Sequence, residues 1–372
     1  MSTLAVDAIV DSSNGNTATI NGATPTAYNT MGKNRIINGA MEIDQRSAGA
    51  STTVTGNSYV TCDRWQTFAS QTSKYSVQQN AGSVTPPAGF SNYLGVTSLS
   101  SYSISSTDIF NITQIIEGYN TVDLAWGTSD AKTITVSFWV RSSLTGTFGG
   151  VVRNFAGTQN YPFTYTINSA NTWEQKSITI AGSTTGTWIS GNGKSLYLMI
   201  NLGTGSTYSG TAGSWAGGNL WSATGATSVV GTSGATLYIT GVQLEVGSVA
   251  TEFERRPYGT ELQLCQRYYE KSYSIDVVPG TATANGLVYM STGTSTAGDK
   301  AHTAFFKVEK RSNPSISYWD SPGNASRVDS GGTNRVGAIN FQNTVSVNIR
   351  QNAGGGYGSA DLGFHFVASA EL

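Results

Sequence analysis

The stretch Lys132–Ser143 (KTITVSFWVRSS) alternates too regularly for a helix. Ile134, Val136, Phe138 and Val140 fall on one parity, and Thr133, Thr135, Ser137, Trp139 and Arg141 on the other. Side chains of a strand point to opposite faces in turn, so this is a strand with one buried and one polar face. A half-buried strand needs a second layer over its apolar side. The same logic recurs in YPFTYTI, WEQKSITI and SLYLMINL, where Leu196, Leu198, Ile200 and Leu202 share the inward parity. Gly/Ser/Thr-rich turns separate these runs at the spacing of an antiparallel sandwich rather than of βαβ units.

Earlier in the chain, NRIINGAMEIDQR, YVTCDRWQTF and KYSVQQN also read as strands, while Ile112–Val122 fits a strand or a helical turn equally well. Segment 203–234 is Gly/Ser/Thr-rich and carries Tyr208, Trp215 and Trp221; a loop so long is usually functional or ordered by a neighbour. Ala235–Ser272 then gives a strand whose phase slips at Gly241, as at a β-bulge. A charged linker follows, Thr251–Pro257, expected to be extended and exposed. Thr260 and Gln263 make a capping-box pair opening one helix, with Leu262, Leu264, Cys265, Tyr268 and Tyr269 on its apolar face. Beyond it lies a second, smaller run of strands. The expected division is an N-terminal arm over 1–33, a first β-domain over 34–256, a helical connector over 257–273 and a C-terminal β-domain over 274–372. The fold class is all-β: an antiparallel sandwich, one short connecting helix and a smaller C-terminal β-domain.

Only 12% of residues are charged and the net charge is -1, so nothing resembles the basic footprint of a nucleic-acid binder or of a protein held on an anionic membrane. With 8 Trp, 18 Tyr and 13 Phe the chain is too aromatic for disorder. No window approaches the length of a membrane helix, and neither membrane insertion nor a signal peptide is expected. Cys62 and Cys265 are expected as two free buried thiols. Catalysis finds little support: there are two histidines, no H-x-H, no C-x-x-C and no nucleophile elbow. Glu252 and Glu254 share one face of the linker, but Arg255 and Arg256 sit beside them. His365 alternates with Phe364 and Phe366, and is expected to point away from their core toward solvent or a neighbouring subunit. No enzyme activity, cofactor or metal is assigned.

Two blocks carry a resemblance: RIINGAMEIDQR with DRW after it, and SFWVRSS through YITGVQLEVGSVATEFERRPYGTELQLCQRYYEKS. Together they resemble bacteriophage tail-fibre proteins, and the terminal FHFVASAEL is similar to the ending of many such fibres. Residues 34–256 also resemble carbohydrate-binding modules with a galactose-binding-like jelly roll, in which Asn38, Gly39 and Glu42 match an N-G-x-x-E near the start. Those modules often hold a structural calcium near both ends; here Thr240 and Gly241 stand where an aspartate pair is common. The resemblance implies a virion tail fibre made in a bacterial cytoplasm, assembled as a homotrimer, joined to a phage tail or baseplate protein through residues 1–33, and binding host cell-surface glycan. Two alternatives remain open: a capsid decoration fibre, and a carbohydrate-binding module without a virion role.

Sugars offer apolar C–H faces that stack on aromatic rings, and hydroxyls that need polar partners. Candidates on that ground are Trp139 with Arg141 on a polar sheet face, and Trp188, Tyr208, Trp215 and Trp221 near Gly-rich turns. In the C-terminal domain they are Tyr318 and Trp319 beside a turn, and Tyr357 in a Gly-rich loop. Recognition is expected mainly in that domain, on loops riding a rigid sheet.

Overall fold

The computed structural model describes residues 32–291, 300–331, 333–351 and 361–372. The expected arm, up to residue 31, and Tyr357 lie outside the described residues. The first domain is two antiparallel sheets face to face. One runs, edge to edge, Thr52–Thr53, Tyr75–Gln79, Leu94–Ser98, Thr236–Val246, Ile134–Ser142 and Glu174–Ile180. The other runs Trp65–Ala69, Ile109–Glu117, Lys194–Thr204, Gly146–Asn154 and Asn160–Ile167. Strands that neighbour each other are mostly distant in sequence, so the chain crosses repeatedly between the layers, as in a jelly roll. Between the layers Phe138, Val140, Leu237 and Ile239 meet Phe110, Ile112, Phe148 and Leu198, all buried.

The slip at Gly241 is a bulge. Thr240 pairs with Trp139 and Gln243 with Ser137, so one extra residue stands on the longer strand. Gly241 has φ +60, and a Cβ there would lie 2.6 Å from the Phe90 ring. The bulge is also where the described chain begins: Arg35 N–H donates to Leu244 O, and Asn34 Nδ2 donates to Val242 O.

Several sequence expectations change. Residues 34–51 form turns, not a strand: Asn38 and Met41 have positive φ, and Asn38 spends its amide on Ile43 and Asp63. Side-chain bonds to the local backbone replace a ladder here. Ile109–Glu117 is a strand, every residue buried. The linker is extended but only Glu252, Arg255 and Pro257 are exposed: Glu254 accepts from Gly32 and Asn34 N–H, and Arg256 donates to Asn34 and Ile36 carbonyls. The helix spans Tyr258–Gln266 behind Pro257 with no side-chain cap, so the capping box does not form. Tyr269–Lys271 belongs instead to the C-terminal sheet, paired with Val367–Ser369; tertiary pairing overrides the helical pattern, and the 257–273 connector is shorter than expected.

The C-terminal sheet centres on Asp361–Ser369, which pairs with Tyr269–Lys271, Val288–Ser291, Ser315–Trp319 and Arg327–Ser330; Thr333–Gln342, Ser346–Gln351 and Ala301–Phe305 follow in order. Its core holds Val328, Val347, Ile349, Leu362, Phe364 and Phe366. His365 does leave that core, yet it is buried, not solvated: Tyr273 stacks on it at 3.8 Å and its Nε2 lies 2.9 Å from Thr283 O. A third apolar cluster joins the domains, with Ile37, Ile43 and Ile115 against Cys265, Tyr268 and Leu372. Both cysteines are free and buried. Among the described residues no helix is long and apolar enough to cross a membrane.

Candidate functional site

The outward face of the five-stranded sheet is built by alternation. Phe68 stands opposite Asn111, Thr113 opposite Met199, and Tyr197 opposite Arg153, so all six project on the side away from the sandwich core. Segment 203–234 folds back along one end of this face. A two-residue parallel pairing, Ser209–Gly210 with Ser222–Ala223, fixes it, and Trp221 N–H donates to Tyr208 O at 2.7 Å.

Trp221 thereby meets Phe68 with ring centroids 4.6 Å apart. The Arg153 guanidinium lies 4.8 Å from the Trp221 ring and 5.9 Å from that of Tyr197. Tyr197 stacks with the exposed Phe155 at 6.3 Å and 17°, and Lys194 Nζ lies 5.7 Å from the Phe155 ring. Rings and cations thus share one track: Trp221, Arg153, Tyr197, Phe155, Lys194. Gly157 makes room for it, since with φ +68 a Cβ there would come within 2.5 Å of Arg153 Nη2.

The track's electrostatics are unusual. Arg153 is 5% exposed, and its hydrogen bonds among the described residues are two long ones, 3.4 Å each, to the carbonyls of Asn154 and Leu220. Burial pushes its guanidinium down to about 10, with the Tyr197 phenol pulling the other way. Burial, then the charge of Arg311, lowers the Lys194 ammonium. Two buried donors nearby, Trp221 Nε1 and Asn111 Nδ2, find no acceptor among the described residues. Such groups cost free energy unless a ligand or water satisfies them.

The remaining candidates are dispersed. Trp139 and Arg141 lie on the outer face of the six-stranded sheet, where Arg141 donates to Asn171 O and approaches the Tyr238 ring at 5.5 Å. Trp188 and Trp215 pack edge-on against Trp126, and both indoles donate to backbone carbonyls of Thr185 and Ala181. Tyr318 turns its ring toward Gly337 and the C-terminal core, while Trp319 sits 6.2 Å from Tyr273. Only Trp221 joins the track; Tyr208 reaches it through its backbone carbonyl, which accepts from the Trp221 N–H. Arg153, Tyr197, Phe155, Lys194 and Phe68 were not singled out in the sequence, although Arg153 and Tyr197 stand on the polar parity of GTFGGVVRN and SLYLMINL.

The calcium positions do not fit a cation. Asn38 Oδ1 accepts from Ile43 N–H, and the Thr240 hydroxyl donates to Asn92 O. Among the described residues no group of three His, Cys, Asp or Glu is placed to hold a metal ion.

No family model matches this chain, and no curated protein matches it. Solved structures show distant likenesses. A putative sugar binding protein from Bacteroides thetaiotaomicron aligns over 57% of this chain and 100% of its own, at 10% identity and TM-score 0.33. The family 11 carbohydrate-binding module from Clostridium thermocellum aligns over 54% and 98%, at 10% and 0.26. The enzymatically active domain of Bacteriophage CBA120 tailspike protein 4 aligns over 58% of this chain at 12% and 0.29, and the chain spans only 22% of that protein.

Proposed function

We propose that this protein is a non-enzymatic, glycan-binding fibre subunit of a phage virion, and that the Trp221–Arg153–Tyr197–Phe155–Lys194 track receives host surface polysaccharide. The run of rings and cations along one sheet face carries this reading: rings accept the C–H faces of sugars, and the Arg153 guanidinium and Lys194 ammonium offer donors to their oxygens. The virion role rests on the resemblance of the RIINGAMEIDQR and YITGVQLE blocks to tail fibres. On that role, residues 1–33 join a tail or baseplate protein. Gly32 and Asn34, at the end of that segment, donate their N–H groups to Glu254 of the linker. Homotrimer assembly is part of the proposal, supported by Phe305, Val336 and Phe341 standing exposed on the C-terminal sheet; symmetric copies commonly cover such patches.

Each ring contact is worth about 0.5–1.5 kcal/mol, so one track binds weakly and avidity across three copies supplies the rest. The test is adsorption of the purified chain to host cells and a glycan array, with Trp221→Ala as comparison. Retention on one or more polysaccharides, reduced at least severalfold by Trp221→Ala at unchanged melting temperature, is expected. Wild-type retention on none, or equal retention of the variant, would refute the site. Native mass spectrometry showing a stable monomer would refute the trimer.

A further inference from the structure

On the reading that this track holds a glycan, we propose that the ligand is an acidic polysaccharide whose sugar carboxylates are received by Arg153 and Lys194. The contrast with four other arginines of the chain is the first argument. Arg46 and Arg64 are met by Glu371, Arg256 by Glu254 and Glu261, and Arg267 by Glu117. Arg153 is as buried as these, yet no carboxylate pairs with it among the described residues. Long-chain cations are almost never buried without a partner, because desolvation costs more than backbone carbonyls at 3.4 Å return.

Lys194, at the other end of the track, repeats the pattern. Its charged neighbour is Arg311, whose donors go to the carbonyls of Asn192, Ala370 and Glu371. Glu117, opposite Lys194 in the ladder, is already engaged by Arg267 and Tyr268. Two cations therefore flank the stacked pair Tyr197–Phe155 with no acid between them. A uronate suits this spacing of functions: its ring lies on an aromatic face while its planar carboxylate meets the guanidinium fork. Single-stranded nucleic acid also pairs rings with cations, but it needs a continuous basic groove to follow the phosphates. This track has two cations in a chain of net charge -1, which favours the sugar.

The test uses the full chain in affinity electrophoresis and calorimetry with polygalacturonate, alginate, the same polymers after carboxyl reduction, dextran and oligothymidylate. Polyuronate is expected to bind at least tenfold more tightly than its carboxyl-reduced form, with affinity falling as salt is raised. Arg153→Gln is expected to lose tenfold or more of polyuronate affinity at unchanged melting temperature, and Arg153→Lys to retain part of it. The carboxyl-reduction arm needs no variant, so it stands even if Arg153→Gln misfolds. Equal affinity for acidic and reduced polymers would overturn the acidic ligand and leave glycan binding intact. A folded Arg153→Gln with wild-type polyuronate affinity would overturn the role of Arg153. No binding to any glycan would sink both readings, and tighter binding to oligothymidylate than to polyuronate would replace them.

Discussion

The guanidinium of Arg64 lies 3.7 Å over the ring of Tyr268, joining the first β-domain to the residue where the helix gives way to the C-terminal sheet. Arg64 reaches that position from φ +71 and is 1% exposed. Its Nη2 donates to Ile115 O, and its Nη1 to the Glu371 carboxylate, which also receives Arg46 at 2.6 Å. Burial pulls the Arg64 guanidinium down, but Glu371 together with Tyr59, Tyr268 and Cys265 outweighs it and holds the group above its ordinary value. The domains are therefore clasped, not merely strung together.

Glu371→Gln tests the clasp. It leaves the buried Arg64 without its carboxylate and Arg46 with Asp63 alone, 3.7 Å away, and breaking a buried pair from one side costs about 3–5 kcal/mol. Chemical denaturation should show a midpoint lowered accordingly, with the two domains beginning to unfold separately. A midpoint within error of wild type would mean the clasp contributes nothing net.

At the bulge, Gly241→Ala should destabilise by about 1–3 kcal/mol, since the left-handed backbone there is strained for a side chain. The added methyl would also displace Phe90, which sits edge-on to Phe253 under Arg255. A shift in denaturation midpoint checks this; an unchanged midpoint would mean that the strand loses its bulge at no cost.

The sheets were legible because alternation is a local signal: Ile134 to Val140 and Leu196 to Leu202 need no partner to announce their buried face. Gly241 was legible for the same reason, as a break in that signal. What stayed hidden depends on distant contacts. Tyr269–Lys271 reads as helix until Val367–Ser369 arrives to pair with it. Asn38 reads as strand until its amide finds Asp63. The track was hidden because Trp221 and Arg153 are far apart in sequence and meet only when segment 203–234 folds over the sheet. Tryptophans that drew attention by type, such as Trp188 and Trp215, turn out to pack on Trp126.

Asp63 sets one pH dependence. Burial raises its carboxyl to about 7, against the pull of Arg46 and of Gln45, whose Nε2 donates to it at 2.5 Å. A folded-state value above the unfolded 3.8 means the native protein holds the proton more tightly. This contribution is present below about pH 4 and is lost as pH rises toward 7, by about 1–4 kcal/mol. Asp63→Asn should remove that slope in melting temperature between pH 4 and 7. A variant that keeps the wild-type slope would place the proton elsewhere.

His365 sets the opposite dependence in the other domain. Burial lowers its value from 6.5, against the Thr283 carbonyl and the charge of Asp329, while Tyr273 stacks on the ring and Ser272 Oγ lies 3.3 Å from Nδ1. The folded state therefore resists taking up the proton, and below about pH 6.5 the unfolded chain binds it first. Stability from this residue is present above that pH and falls as the solution is acidified. His365→Gln keeps hydrogen-bonding capacity toward Thr283 and Ser272 but cannot take up a proton in this range, so its melting temperature should fall less than wild type between pH 6.5 and 5. Because Asp63 drives the wild type the other way over the same interval, the comparison is cleanest in an Asp63→Asn background. There, the single variant should lose stability on acidification and the Asp63→Asn/His365→Gln double variant should lose measurably less. Equal losses in the two would show that the Tyr273–His365 stack accepts the proton as readily as the unfolded chain does.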